Sequence, residues 1–329
     1  MLSQGKLLRD VLILNMDKQL EDISATMYEK EISALNAEEV YIVVIFMVKR
    51  LIETYIKSIA EKKYYYISSG FGKGSFLESN LRNLGIYEIM KGVLVSKNHD
   101  LESINEVEKE YLGRQESFEE TTYKFFEQSA QYGLPSEAIG IRQIKKYEDK
   151  NTEYVPYQPE KSWLVKQDMS FSIALEKIKT KVCYYDLDVV GKDKGIYKFH
   201  LFDLEIEDAM GEEEAQIYYD YFLCHCAARL IQQQMRANQY DLRRMDQYAV
   251  IGIEGKYMAF LIPEFVRIMM DEKAIPFEET IEVVRKIFGF TTYQKMIEAV
   301  ETCPLEYVEK LVPHFIDKIK NAKITKEIE

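Results

Sequence analysis

Residues 64–76 read YYYISSGFGKGSF. Three tyrosines and an isoleucine form a β-prone run that should be a buried strand over 64–68. The run enters a turn holding Gly70, Gly72 and Gly74. A helical segment opens behind it at residue 75. Strand, glycine turn and helix start are the parts of which phosphate cradles are made.

The loop departs from the phosphate motifs in detail. A Walker A turn needs four residues between its first glycine and Gly-Lys, then Ser or Thr. Here Gly72-Lys73 is followed by Gly74, and Ile67 stands where the first glycine belongs. The third glycine comes too early for a dinucleotide fingerprint. Two readings stay open: an anion nest with Lys73 as its charge partner, and plain turn geometry.

Outward from this loop, helical and strand-like segments alternate. Residues 2–32 and 37–63 read as helices, with Asn36 and Glu39 placed as a capping box. The apolar stripe of the second, Val40, Val43, Val44, Phe46, Met47, Leu51 and Tyr55, predicts a buried helix. Residues 75–94 read as a helix with Gly85 near a turn, and 117–131 as another that stops at Gly133-Leu134-Pro135. A short strand covers 139–142. The polar stretch 149–161 reads as a loop. Strand-like runs follow at 171–175, 179–189 and 194–206, the last two forming an antiparallel hairpin around Gly191-Lys192-Asp193. Then come helix 212–237, strand 248–253, helices 258–271 and 277–288, strand 289–291, and helices 293–301 and 305–321. The expected fold is α/β: a mainly parallel, Rossmann-like sheet covered by helices, with an antiparallel β insertion. The chain reads as one domain over 1–329. It has a helical segment at 1–63, the insertion at 150–208 and a frayed tail at 322–329.

With 329 residues the chain can bury roughly 75% of its unfolded surface. Its net charge of −12 argues against nucleic acid as the main partner. The longest apolar run, YIVVIFMV at 41–48, is too short to span a bilayer, and no signal peptide is visible. The expectation is a cytoplasmic protein without a membrane partner. Cys183, Cys224, Cys226 and Cys303 form no CxxC pair. Cys224-His225-Cys226 lies in a helical pattern, where neighbours point apart, so no metal site is expected. The turn Glu254-Gly255-Lys256 offers backbone N–H groups at a helix start, but Glu254 disfavours an anion there. His99, His200, His225 and His314 lie outside turns that follow strands, and no pair of acids stands out for proton transfer.

Residues 62–86, KKYYYISSGFGKGSFLESNLRNLGI, resemble the pattern YYLSxEFLxGRxLxNNLxNLG of the glycogen and α-glucan phosphorylases. Leu112-Gly113-Arg114 and the run from Gly133 to Arg142 resemble further blocks of that family. So does the stretch 262–319, beginning IPEFVRIMMDEK. The resemblance implies half of a two-domain GT-B fold. It also implies losses. The family's glycine-rich phosphate loop is reduced here to Leu112-Gly113-Arg114. Its NDTHP turn aligns with Glu254-Gly255-Lys256-Tyr257-Met258, so its histidine is Tyr257 here. Its YTNHT segment aligns with residues 290–294, with Thr292 before Tyr293 at the histidine position. The remnant sugar-site positions are thus Glu254, Gly255, Lys256, Tyr257, Thr292 and Tyr293. The remnant glycine loops are Gly72-Lys73-Gly74 and Gly113-Arg114. No catalytic residue and no pyridoxal phosphate are expected, because the family's cofactor lysine lies in a second domain without a match here. The implied function is a pseudoenzyme linked to glucan metabolism, acting through self-association or another phosphorylase-like chain. Two alternatives are a non-catalytic glucan-binding module, and one half of a split phosphorylase.

Overall fold

The β-prone run at the glycine turn is a strand, β1, Lys63–Ser68. The remaining strands are β2 Ser136–Ile141, β3 Val165–Gln167, β4 Ser172–Leu175, β5 Ile178–Lys181, β6 Cys183–Val190, β7 Ile196–Asp203, β8 Ala249–Glu254 and β9 Phe288–Phe290. The helices are α1 Leu2–Tyr28, α2 Ala37–Glu53, α3 Phe76–Asn83, α4 Tyr87–Ser96, α5 Leu101–Tyr111, α6 Glu212–Ala237, α7 Leu261–Arg267 and α8 Phe277–Ile287. The structure is a computed structural model. It describes residues 2–54, 62–68, 76–111, 135–141, 163, 165–167, 172–175, 178–191, 196–203, 212–254 and 257–290.

Seven strands form one sheet in the order β3-β6-β7-β2-β1-β8-β9, and β4 pairs with β5 separately. From β7 to β9 all neighbours are parallel; β6 and β3 add an antiparallel edge. This is the mixed α/β sheet expected from the alternation of elements. The hairpin is β6 and β7, but β7 also pairs in parallel with β2. The β-rich stretch therefore extends the main sheet. The alternation across 179–189 is divided at Val182: residues 178–181 pair with β4, and 183–190 with β7.

Each face of the sheet carries one core. Tyr66, Ala138, Leu187 and Phe199 pack with α1–α5 on one face, and Tyr65, Ile67, Ile139 and Phe202 with α6–α8 on the other. Strand β2 is buried at all six positions, as a strand covered on both faces must be. Helix α2 is buried from Val40 to Ile45 without interruption. Each such side chain contributes about 1.5–3 kcal/mol of transfer energy. The Asn36–Glu39 capping box is formed, with both bonds at 2.9 Å.

Several boundaries differ from the periodicity. Helix α1 ends at Tyr28, four residues early, where Glu29 takes a positive φ of 54°. Helix α2 ends at Glu53, and residues 55–61 are outside the described set. The single helix expected over 75–94 is two, α3 and α4, broken at Gly85, whose φ of 74° suits glycine. Helix α5 is not among the expected elements; Leu101, Ile104 and Asn105 form its buried face. The segment 258–271 starts as a 3-10 turn, Met258–Phe260, and ends in a π turn, Ile268–Glu272. The expected elements at 117–131, 293–301 and 305–321, the loop at 149–161 and the tail lie outside the described residues.

Candidate functional site

In a parallel sheet, ligand crevices form outside the carboxyl ends of the strands. Here β1 and β8 end level, with Ser68 beside Glu254, and Ile253 is level with Phe290 of β9. In the sequence Gly72-Lys73-Gly74 follows β1, Glu254–Tyr257 spans the end of β8, and Thr292-Tyr293 follows β9. Gly72, Lys73, Gly74, Gly113, Arg114, Gly255, Lys256, Thr292 and Tyr293 themselves lie outside the described residues. Glu254 and Tyr257 are described.

Glu254 is buried at 5% exposure and accepts a hydrogen bond from the Tyr66 hydroxyl. Strand alternation explains the contact. Tyr64, Tyr66 and Ser68 share a face with Val250, Gly252 and Glu254 through the β1–β8 register. Gly252 lacks a side chain, and Tyr64 occupies the space: a Cβ at 252 would overlap its hydroxyl. Tyr66 lies alongside, 6.3 Å from Tyr64 between ring centroids, and so reaches Glu254.

Tyr257 turns to the opposite core. It is 3% exposed and packs near Phe260, 6.4 Å between ring centroids. Helix α6 grips its backbone. Asp220, fully buried, accepts from the Tyr257 N–H at 3.3 Å. One turn further along α6, the Cys224 thiol donates to the Met258 carbonyl at 3.4 Å. Positions 220 and 224 share one helix face, which is why both meet the same turn. Burial, with the Asp220 and Glu264 carboxylates near it, pushes the Cys224 thiol up, so it stays a neutral donor. The three residues of Cys224-His225-Cys226 do point apart: His225 Nδ1 meets Glu264 Oε1 at 2.8 Å, and Cys226 is buried in the core.

A second polar centre escaped the sequence reading. His200 on β7 is buried between two carboxylates, Nδ1 2.6 Å from Asp186 Oδ1 and Nε2 2.9 Å from Glu137 Oε2. Glu137 also accepts from Lys63 Nζ at 2.5 Å and Gln234 Nε2 at 2.7 Å. Tyr65 donates to Gln234 at 2.6 Å. Lys198 pairs with Asp186 at 3.4 Å and Asp188 at 3.1 Å. Burial by itself would lower the imidazole, but the bonds to Asp186 and Glu137 outweigh it and raise His200 to about 9. Burial pushes Glu137 up, yet His200 and Lys63 hold it well below the usual carboxylate range. The centre is charge-balanced: Lys63, Lys198 and protonated His200 against Glu137, Asp186 and Asp188. Lys63 and Glu137 lie at the amino ends of β1 and β2, and His200 lies midway along β7, level with Ile139. Gln234 ties the centre to α6. His200 could have been found from the alternation of β7, which puts it on one face with Lys198 and Phe202; the partners on β2 and β6 could not.

Residues 207–328 match the family described as carbohydrate phosphorylase. The chain is similar to maltodextrin phosphorylase of Streptococcus pneumoniae, 26% identical, over 92% of this chain and 45% of that protein. It is similar to glycogen phosphorylase of Bacillus subtilis, 23% identical, over 78% of this chain and 39% of that protein. The human liver glycogen phosphorylase is 28% identical over a shorter stretch, 32% of this chain and 14% of that protein. The chain spans less than half the length of these relatives. Among the described residues no helix is long and apolar enough to cross a membrane. The chain thus has a mostly parallel sheet and is similar to carbohydrate phosphorylases across most of its length.

Proposed function

We propose that this chain is a phosphorylase-like binding protein without phosphorolytic activity of its own, working in α-glucan metabolism through self-association or a phosphorylase-like partner. The observation that supports this reading is the packing of Tyr257. At the position aligned with the family's sugar-contacting histidine, the side chain is sunk into the core and its backbone is tied to Asp220. A buried ring offers no face for stacking on a sugar. The same packing weighs against the glucan-binding alternative.

No pyridoxal phosphate is part of this proposal; Glu254 and Asp220, two buried acids beside the end of β8, are in keeping with that reading. No step through the cofactor is assigned.

The test is phosphorolysis. The purified full chain is incubated with maltoheptaose, inorganic phosphate and pyridoxal phosphate, and glucose 1-phosphate is measured. None above the blank is expected; steady release overturns the proposal. Calorimetric titration with the same oligosaccharide should show no saturable heat. Saturable heat, lost on changing Tyr257 and Tyr293, would replace this reading with the glucan-binding one.

A further inference from the structure

Helix α6 ends in a left-handed turn. Gln239 takes a φ of 59°, and the Tyr240 N–H reaches back to the Met235 carbonyl at 2.9 Å. The last turns of α6, the 3-10 segment Leu242–Gln247 and residues 272–275 after the π turn Ile268–Glu272 line an open cleft of about 800 Å³. A cleft of that size takes a small organic ligand. The segment Leu242–Gln247 leads directly into β8, so the cleft lies by the amino end of that strand, at the other end from Glu254.

The cleft has an apolar floor and a basic rim. Met235, Leu242 and Ile275 are buried beneath it. Tyr240 forms a wall, its ring fixed by stacking on Tyr248 with 3.8 Å between centroids. The rim carries Arg229, Arg236, Arg243 and Lys273 against Asp241 and Glu272, an excess of cations in a chain whose net charge is −12. Two of these cations are answered: Arg229 by Glu272 through two bonds of 2.6 Å, and Arg243 by Glu279 at 3.2 Å. Arg236 and Lys273, both exposed, have no acid partner among the described residues. The carbonyl end of α6 opposes an anion with about half a charge. Two unanswered full charges outweigh it.

Two such cations match the double charge of a phosphomonoester. An arginine fork holds phosphate oxygens in pairs, and a lysine holds them as a point charge. The floor selects further: inorganic phosphate alone leaves it wet, whereas a carbon body covers it. The backbone at the rim is unusual as well. A π turn precedes it, and Ala274 holds a φ of 53° without being glycine. Both kinds of departure gather where ligands are held.

We propose that this cleft binds a small organic phosphate, with the phosphate taken by Arg236 and Lys273 and the carbon body laid on Met235, Leu242, Ile275 and Tyr240. The inference goes beyond the reading of the chain as a binding protein and does not depend on it.

Calorimetric titration of the full chain with phenyl phosphate, beside inorganic phosphate at equal ionic strength, tests it. Saturable heat at one site per chain is expected, with phenyl phosphate bound severalfold more tightly than inorganic phosphate. Arg236→Gln and Lys273→Gln should each weaken phenyl phosphate binding about tenfold. Both side chains are exposed, so the circular dichroism of the variants should match the wild type. Lys30→Gln, an exposed site paired with Glu39 of α2 on the opposite face of the sheet, should bind as the wild type does. No saturable heat, equal affinity for the two phosphates, or an equal loss in all three variants each overturns the assignment.

Discussion

His200 Nε2 lies 2.9 Å from Glu137 Oε2, an ion pair carried by two parallel strands and sealed beneath helix α6. Its second nitrogen is held by Asp186, so the ring has no neutral form that satisfies both carboxylates. Proton binding and folding are therefore linked at this residue.

The linkage sets a pH dependence. His200 is raised from 6.5 to about 9, so its contribution is complete below pH 6.5 and is lost as pH rises through 9. At about 1.4 kcal/mol per pKa unit, this amounts to about 3 kcal/mol. Glu137 is lowered, so its contribution is present above pH 4.5 and falls away in acid. Urea unfolding from pH 5 to 9.5 should show maximal stability near pH 5–6.5 and a decline on the alkaline side. His200→Gln should flatten that alkaline decline. It should also cost about 3–5 kcal/mol at pH 6, because it leaves buried carboxylates short of a partner. An unchanged alkaline slope in the variant would refute the linkage.

Asp220→Ala should destabilise the chain by about 1–3 kcal/mol by leaving the buried Tyr257 N–H without its acceptor. Tyr257→Ala, a cavity in the core, should cost about 3–5 kcal/mol. Both are read as shifts in the urea midpoint at constant slope. A Tyr257→Ala protein as stable as the wild type would mean that the ring is not part of the core.

Gly252→Ala should cost about 1–3 kcal/mol, because the added methyl overlaps the Tyr64 hydroxyl. In a Tyr64→Phe background the cost should shrink, a coupling that a double-mutant cycle measures. Equal costs in the two backgrounds would show that the hydroxyl is not the obstacle.

Asn36→Ala removes the cap of α2 and should cost about 1 kcal/mol. Thermal melts resolve this, and Asn36→Asp should restore most of it. No loss on Asn36→Ala would show that burial of α2 alone holds its first turn.

The local elements were legible where composition and period agree. The Tyr-rich β1, the Asn36–Glu39 cap and the apolar α2 follow from side-chain shape, N–H satisfaction and burial, all of which act within a few residues. The same sequence carries the departures at Tyr257 and at the glycine turn. What it does not carry is partner choice. That His200 meets Glu137 depends on β7 pairing with β2 across the sheet, and that Asp220 holds the Tyr257 backbone depends on how α6 packs against the Met258–Phe260 turn. Periodicity reports which face of an element is apolar. Only the packing of elements decides what that face, or a charge beside it, finally touches.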